Sequence, residues 1–254
     1  MASGHASVLR GPDARYIESR MSEAVDRLIM AWSGGKDSAL ALGALLAGSP
    51  GCVECLLTSV TSGYDRVSIH GVRRALLRQQ AHALGLPLEE AEIPREASNE
   101  SYEAAMAGAL ARLHTRFPRA RAVAFGDLFL EDVRRYRERQ FAALGRPLSF
   151  PLWGHDTREL AHAFVARGFR AVLVCVDTTQ LAADFAGRAF DHDLLAELPA
   201  TVDPCGERGE FHTFVADGPI FRHPVAYRKG DVVLRENRFA YCDLVPEEEP
   251  DAPA

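Results

Sequence analysis

Two short stretches hold most of the side chains that can do chemistry. The first is Ser33-Gly34-Gly35-Lys36-Asp37-Ser38. Two glycines allow a sharp turn and a close approach of backbone to ligand. If the stretch opens a helix, its unpaired N–H groups and positive dipole end suit a phosphate. Ser33 and Ser38 add hydroxyls, Lys36 a positive charge, and Asp37 a carboxylate able to hold the Mg2+ that accompanies a nucleotide. The second stretch, Asp203-Pro204-Cys205-Gly206-Glu207-Arg208-Gly209-Glu210-Phe211-His212-Thr213, packs six ionisable side chains and two glycines into eleven residues. A tract this polar needs solvent or a ligand to satisfy it, and its glycines imply a shaped backbone.

The elements around the first stretch agree with a phosphate loop. An apolar run from Leu28 precedes it and an Ala/Leu-rich run from Ala39 to Ala47 follows, so it reads as strand, turn, helix. Lys36 is one of only two lysines, with Lys229, in a chain that otherwise uses arginine. A Walker loop is excluded, because the positions for its leading glycine and trailing Ser or Thr hold Met30 and Asp37. The dinucleotide fingerprint G-x-G-x-x-G is absent too.

Further strands are expected at Val53–Thr61, Leu88–Ile93 and Arg121–Phe125, with helices over Gly71–Leu84 and Asn99–Phe117 between them and Ser98 or Asn99 as a cap. This alternation predicts a parallel sheet with helices on both faces, whose ligands bind beyond the carboxyl ends of its strands. The phosphate loop, the Ser62–Gly71 connection and Gly126-Asp127 all fall on that edge. After a helix from about Leu130 to Leu144, Gly145-Arg146-Pro147 marks a boundary. Beyond it a helix over Thr157–Arg167, a buried strand over Ala171–Val176 and short strands to about Leu244 make a second domain. The expected division is a poorly ordered extension over 1–20, a nucleotide domain over 21–146, a C-terminal substrate domain over 147–245 and a frayed acidic tail over 246–254; Met21 is an alternative start.

A length of 254 residues, 47% hydrophobic content and 25% charge describe an ordinary globular protein. The net charge of -6 argues against a chain built to coat nucleic acid. No apolar run has the length of a membrane span and no secretory signal is visible, so cytoplasmic residence is the expectation. Five scattered cysteines form no disulfide framework, and the lone C-x-x-C of Cys52 and Cys55 reads better as small residues entering a buried strand than as a zinc site.

Ser33-Gly34-Gly35-Lys36-Asp37-Ser38 resembles the SGGxDS loop of the PP-loop ATP pyrophosphatases. Adding Gly126-Asp127, Pro151-Leu152-Trp153, His70-Gly71-Val72-Arg73 and the C-G-E-x-G-E-[FY]-x-T pattern met by Cys205, Gly206, Glu207, Gly209, Glu210, Phe211 and Thr213, residues 21 to 245 are similar to the diphthine–ammonia ligase family. The resemblance implies a Rossmann-like (HUP/PP-loop) doubly wound sheet with a smaller α+β domain. It implies an enzyme that cleaves ATP to AMP and pyrophosphate, adenylates a carboxylate and amidates it with ammonia; in the family the carboxylate is that of diphthine on elongation factor 2. The sequence around Gly126-Asp127 and Glu207–Thr213 is similar to the bacterial branch, which separates the acceptor from the chemistry.

On this reading Ser33, Gly34, Gly35, Lys36, Asp37, Ser38, Gly126 and Asp127 bind ATP, with Asp37 on Mg2+. His70 is a pocket contact or a packed histidine. Lys36 and Asp37 act in catalysis, and Glu207, Glu210 or His212 serves as base or ammonium holder, without an order among the three. Cys205, Gly206 and Thr213, with Arg134 and Arg137 from the arginine-rich run after Asp132, contact substrate, although Cys205 fits a structural role better than a nucleophile's, and the arginines fit a helix face with internal ion pairs nearly as well. A homodimer is compatible with the sequence. The competing readings are a tRNA-modifying PP-loop enzyme, which would want a catalytic cysteine pair, and a nucleotide sensor without turnover.

Overall fold

The computed structural model describes residues 27–63, 66, 71–95 and 97–247. Residues 1–20, Met21, His70 and the tail beyond Glu247 lie outside the described residues. The first sheet holds β1 (Arg27–Ala31), β2 (Val53–Thr61), β3 (Leu88–Ile93), β4 (Ala120–Ala124) and β5 (Leu148–Ser149). All are parallel, in the order β3-β2-β1-β4-β5. The order reverses between β1 and β4, which opens a crevice outside their carboxyl ends. The expected Rossmann-like α/β architecture is therefore present. Because β5 pairs with β4, the first sheet runs past the Gly145–Pro147 boundary and takes Leu148 and Ser149 with it.

Period-2 alternation assigns the helices to faces. Leu28, Met30, Leu56 and Ala124 point to one side of the sheet; Ile29, Cys55, Leu57 and Val123 point to the other. The first side is covered by α1 (Lys36–Gly48) and α2 (Arg74–Leu84), the second by α3 (Asn99–Arg116) and α4 (Glu131–Ala143). Ser98 caps α3, its hydroxyl accepting from the Ser101 amide at 3.2 Å. Cys52 and Cys55 belong to the cores on opposite sides of the sheet, so they cannot share an ion or act as a pair.

Helix α1 is buried around most of its circumference, through Lys36, Ser38, Ala39, Leu40, Ala41, Leu42 and Leu45. A helix apolar all round needs cover on both sides, and a second sheet supplies the other. This sheet contains β6 (Arg170–Asp177), β7 (Phe211–Asp217), β8 (Tyr227–Arg235) and β9 (Phe239–Pro246), antiparallel in the order β7-β6-β9-β8. Helices α5 (Thr157–Ala166) and α6 (His192–Glu197) pack with it. One core runs from Met30 and Leu42 through Phe164 and Phe169 to Val172 and Phe214, so both sheets share α1. Asp243 on β9 adds a polar tie, receiving Arg66 at 2.9 Å and Arg73 at 2.6 Å.

Candidate active site

The turn after β1 is closed by its own side chains. The Gly35 amide donates to Ser33 Oγ at 3.2 Å, Ser33 Oγ donates to Ser38 Oγ at 3.1 Å, and Ser38 Oγ donates to the Gly35 carbonyl at 2.8 Å. Gly34 has φ +79°, and a Cβ there would lie 2.6 Å from Leu77 and 2.8 Å from Gln80. Gly34 turns toward α2 and β7: its carbonyl accepts from the Val215 amide at 2.9 Å and from Gln80 Nε2 at 3.0 Å. Gln80 is fully buried, donates also to the Val215 carbonyl at 2.6 Å, and accepts from the Trp32 indole at 2.9 Å.

Gly126, at the end of β4, presses on this turn. A Cβ at Gly126 would stand 2.8 Å from the Asp37 carbonyl carbon and 2.9 Å from the Ser38 nitrogen, both backbone atoms. The strand-order reversal thus sets two loops in backbone contact, and only glycine fits between them.

The polar tract 203–213 leads into β7 beside the same turn. The Lys36 amide donates to Thr213 Oγ1 at 3.0 Å. Lys36 is 3% exposed, and its ammonium lies among acceptors: Asp37 Oδ1 at 2.8 Å, Asp37 Oδ2 at 2.7 Å and the Cys205 carbonyl. The rings of Phe190 and Phe211 stand 5.9 and 5.7 Å from it. Burial alone would lower the pKa of this ammonium, but the carboxylate beside it holds it above its usual value. Lys36 is therefore a charged strut between loop and tract, where the sequence suggests a group pointing at phosphate.

Loop, tract and the Gly126-Asp127 segment enclose one cleft of about 410 Å³. Ser33, Gly35, Lys36, Asp37, Ser38, Gly126 and Asp127 line it, as do Arg137, Cys205, Gly206, Glu207, His212 and Thr213. Gly34, Glu210 and Arg134 do not. Arg134 instead lies over Phe150 and Trp153, with centroids 4.8 and 4.7 Å away, and pairs with Glu138 at 2.8 Å along its own helix. Arg137 reaches the cleft, gripping Asp127 by two bonds of 2.6 and 3.1 Å over the ring of Phe125.

The three candidate bases, equivalent in sequence, have different surroundings. Glu210 is 1% exposed and accepts from the Asp203 amide at 2.8 Å and the Arg208 amide at 2.9 Å, so it braces the tract. Burial pushes the His212 imidazole down to about 4, assisted by the Lys36 charge, and leaves it neutral at physiological pH. Glu207 faces the cleft. Burial pushes its carboxyl up to about 7; the Leu128 amide, 2.9 Å from Oε1, opposes this, and the carboxylates of Asp37 and Asp127 add to it.

Cys205 and Thr213 act on the tract itself. The Cys205 thiol donates to the Thr157 carbonyl at 3.2 Å, and burial pushes its pKa far up, away from the thiolate a nucleophile needs. Gly206 has φ +66° with the Phe211 carbonyl 2.8 Å from a would-be Cβ. Asp203 gathers the turn, accepting from the Cys205 amide at 2.9 Å and from Thr157 Oγ1 at 2.7 Å.

Part of the remaining wall carries little signal in the sequence: Leu57, Thr58, Ser59 from β2, with Tyr102 and Met106 from α3 and Phe141 from α4. Their placement follows only from strand order. No group of three or more His, Cys, Asp or Glu among the described residues could cage a metal. Magnesium does not require one, since it binds through one or two carboxylates completed by phosphate oxygens and water. Asp37 and Asp127 both line the cleft, each already paired, the first with Lys36 and the second with Arg137, so a magnesium ion there would have to take one of them from its present partner.

Comparison with known proteins agrees with this geometry. Residues 26–146 match the family described as Diphthamide synthase N-terminal domain, and residues 156–241 match Diphthamide synthase C-terminal domain. A Schizosaccharomyces pombe protein named Diphthine–ammonia ligase is 31% identical over 127 residues, which is 48% of this chain and 21% of that relative. The chain thus spans about a fifth of that relative's length. With both family domains matched in order over most of its length, the chain belongs to the diphthine–ammonia ligase family of the PP-loop superfamily.

Proposed function

We propose that the protein is an ATP-dependent carbon–nitrogen ligase. It cleaves ATP between the α- and β-phosphates, joins AMP to a carboxylate and transfers the acyl group to ammonia. The observation that carries this reading is the shared cleft, in which the loop after β1 and the tract 203–213 face each other across Glu207 and Asp127. The apolar wall of Leu57, Met106 and Phe141 suits a purine, and the turn at the start of α1 suits the β- and γ-phosphates.

In the first half-reaction an acceptor carboxylate oxygen attacks the α-phosphorus. The bond from that phosphorus to the bridging oxygen breaks, and pyrophosphate leaves. Charge grows on the leaving oxygen, where the α1 N-terminus and its dipole oppose it. Magnesium brought in with the nucleotide, held by Asp37 in exchange for Lys36, would supply further charge neutralisation. In the second half-reaction ammonia attacks the acyl carbon, AMP departs and an amide remains. An ammonium ion drawn to the carboxylates must first lose a proton, and Glu207, titrating near 7, is matched to that task. Neutral His212 lines the same cleft and adds no charge that would compete with it.

The acceptor is a carboxylate; the relative's name points to diphthine, and the bacterial-type sequence leaves room for another acid. Incubation with ATP, magnesium and ammonium, followed by nucleotide analysis, tests the reaction class. AMP and pyrophosphate are the expected products, and ADP with phosphate would reject the reading. Trapping the adenylated species from an extract and weighing it identifies the acceptor.

A further inference from the structure

Strand β8 is the outer edge of the second sheet, bonded to β9 on one side alone. Three adjacent apolar residues on it are open to solvent: Val232 at 52%, Val233 at 47% and Leu234 at 54%. Among the described residues the only other large apolar side chain so exposed is Leu144. An edge strand presents unpaired N–H and C=O groups, and proteins blunt such edges with bulges or charges. Here the irregularity falls between Lys229 and Val232, leaving Val232 to Arg235 in regular register. Val232 and Leu234 stand opposite Cys242 and Ala240, which belong to the core, so the buried face of the sheet continues outward into them without cover.

We propose that β8 is the contact between two copies of this chain, paired antiparallel about a twofold axis through Val233, so that two four-stranded sheets become one continuous sheet. The register follows from hydrogen-bond parity. Along an antiparallel ladder alternate residues turn their N–H and C=O to one neighbour, and the residues between turn theirs to the other. Two outward sets meet only when the axis passes through a residue, never between two. An axis through Val233 sets Asp231 against Arg235 of the second copy, and Arg235 against its Asp231. It also sets Val232 against Leu234 and Val233 against itself. An axis through Val232 would oppose Val233 with Asp231 and Leu234 with Gly230, and one through Leu234 would oppose Val232 with Glu236. Only the axis through Val233 pairs opposite charges with apolar residues between them, and opposed charges and apolar pairs are what stabilise neighbouring strands. No residue of β8 lines the cleft, so the contact leaves the site open.

Sedimentation and light scattering of the full chain at about 50 µM test this. The expected species is a dimer. Val233→Asp places two like charges face to face and should raise the dissociation constant at least about tenfold. Asp231→Arg and Arg235→Asp should each weaken the dimer, and the doubly reversed D231R/R235D should restore it. Melting temperature and AMP release per chain should be unchanged in all of them, which separates a lost contact from lost folding. A monomeric parent, a dimer indifferent to Val233→Asp, a double reversal that restores nothing, or a dimer abolished only by removing residues 1–26 would each overturn the proposal. AMP release by a monomeric parent would reject the contact and leave the proposed reaction intact.

Discussion

Removing the Lys36 ammonium should unfold the site before it silences it. Lys36→Ala deletes a charge that is 3% exposed and bonded to both oxygens of Asp37, at 2.8 and 2.7 Å, and to the Cys205 carbonyl. Breaking a buried ion pair from one side costs about 3–5 kcal/mol, because the remaining charge stays uncompensated. The Asp37 side chain keeps 29% of its surface in solvent, so water recovers part of that loss and the lower end, about 3 kcal/mol, applies. At roughly 2–4 °C per kcal/mol for a chain of this size, the melting temperature should fall by about 10 °C. Thermal unfolding followed by circular dichroism without nucleotide reads this directly. Lys36→Met combined with Asp37→Asn should cost less than the sum of the single changes, since the second removes the charge that the first strands. A Lys36→Ala protein that melts within about 2 °C of the parent yet makes no AMP would refute the reasoning and return Lys36 to the phosphate.

Glu207→Gln should leave ATP cleavage in place and slow amide formation by about 10²–10⁴-fold, and it should abolish a roughly tenfold rise in that step between pH 6 and pH 8; a retained rise would assign the base elsewhere. The raised carboxyl also fixes a stability trend. The folded state holds this proton more tightly than the unfolded chain does, so the contribution is present at low pH and is lost as pH rises toward 7; Glu207→Gln should gain in melting temperature relative to the parent at pH 8 and not at pH 4. Gly126→Ala should weaken ATP binding at least about tenfold by calorimetry, because its Cβ, 2.8 Å from Asp37 backbone, must displace the loop. Gln80→Leu should destabilise the fold by about 2–3 kcal/mol in urea unfolding, since it strands the Trp32 indole and removes the donors to Gly34 and Val215.

The sheet and its helices were legible because their signals are local. β2 and β3 run from Val53 to Thr61 and from Leu88 to Ile93, the expected limits, β2 on an apolar and β-branched run and β3 on a weaker pattern that carries three glutamates. Glycines and Pro147 punctuate the connections. β5 escaped notice because two residues carry no periodicity; it exists only through pairing with β4. β8 falls among the short strands expected up to about Leu244, but its limits had no local signal, for its exposed Val232, Val233 and Leu234 obey neither alternation nor burial. The aromatic and apolar wall from α3 and α4 was hidden for a different reason. Tyr102, Met106 and Phe141 look like core residues on helices, and only the reversal of strand order turns them toward a cleft.

Side-chain roles inside the two motifs were the least legible, and Glu207 and Glu210 explain why. They stand three residues apart in one tract, with the same carboxyl group. The turn through Gly206 and Gly209, both at positive φ, faces them in different directions. Glu210 meets two backbone amides, of Asp203 and Arg208, which occupy both its oxygens and commit it to the scaffold. Glu207 meets one amide, that of Leu128, on one oxygen, and burial, with the other carboxylates of the cleft adding to it, pushes its proton affinity upward. Supplying one further amide donor to Glu207 would lower its pKa and make it a second brace; withdrawing one from Glu210 would leave a buried oxygen without its partner. The division between scaffold and chemistry therefore rests on burial and on how many N–H groups the backbone turns toward each carboxylate, rather than on the acids themselves.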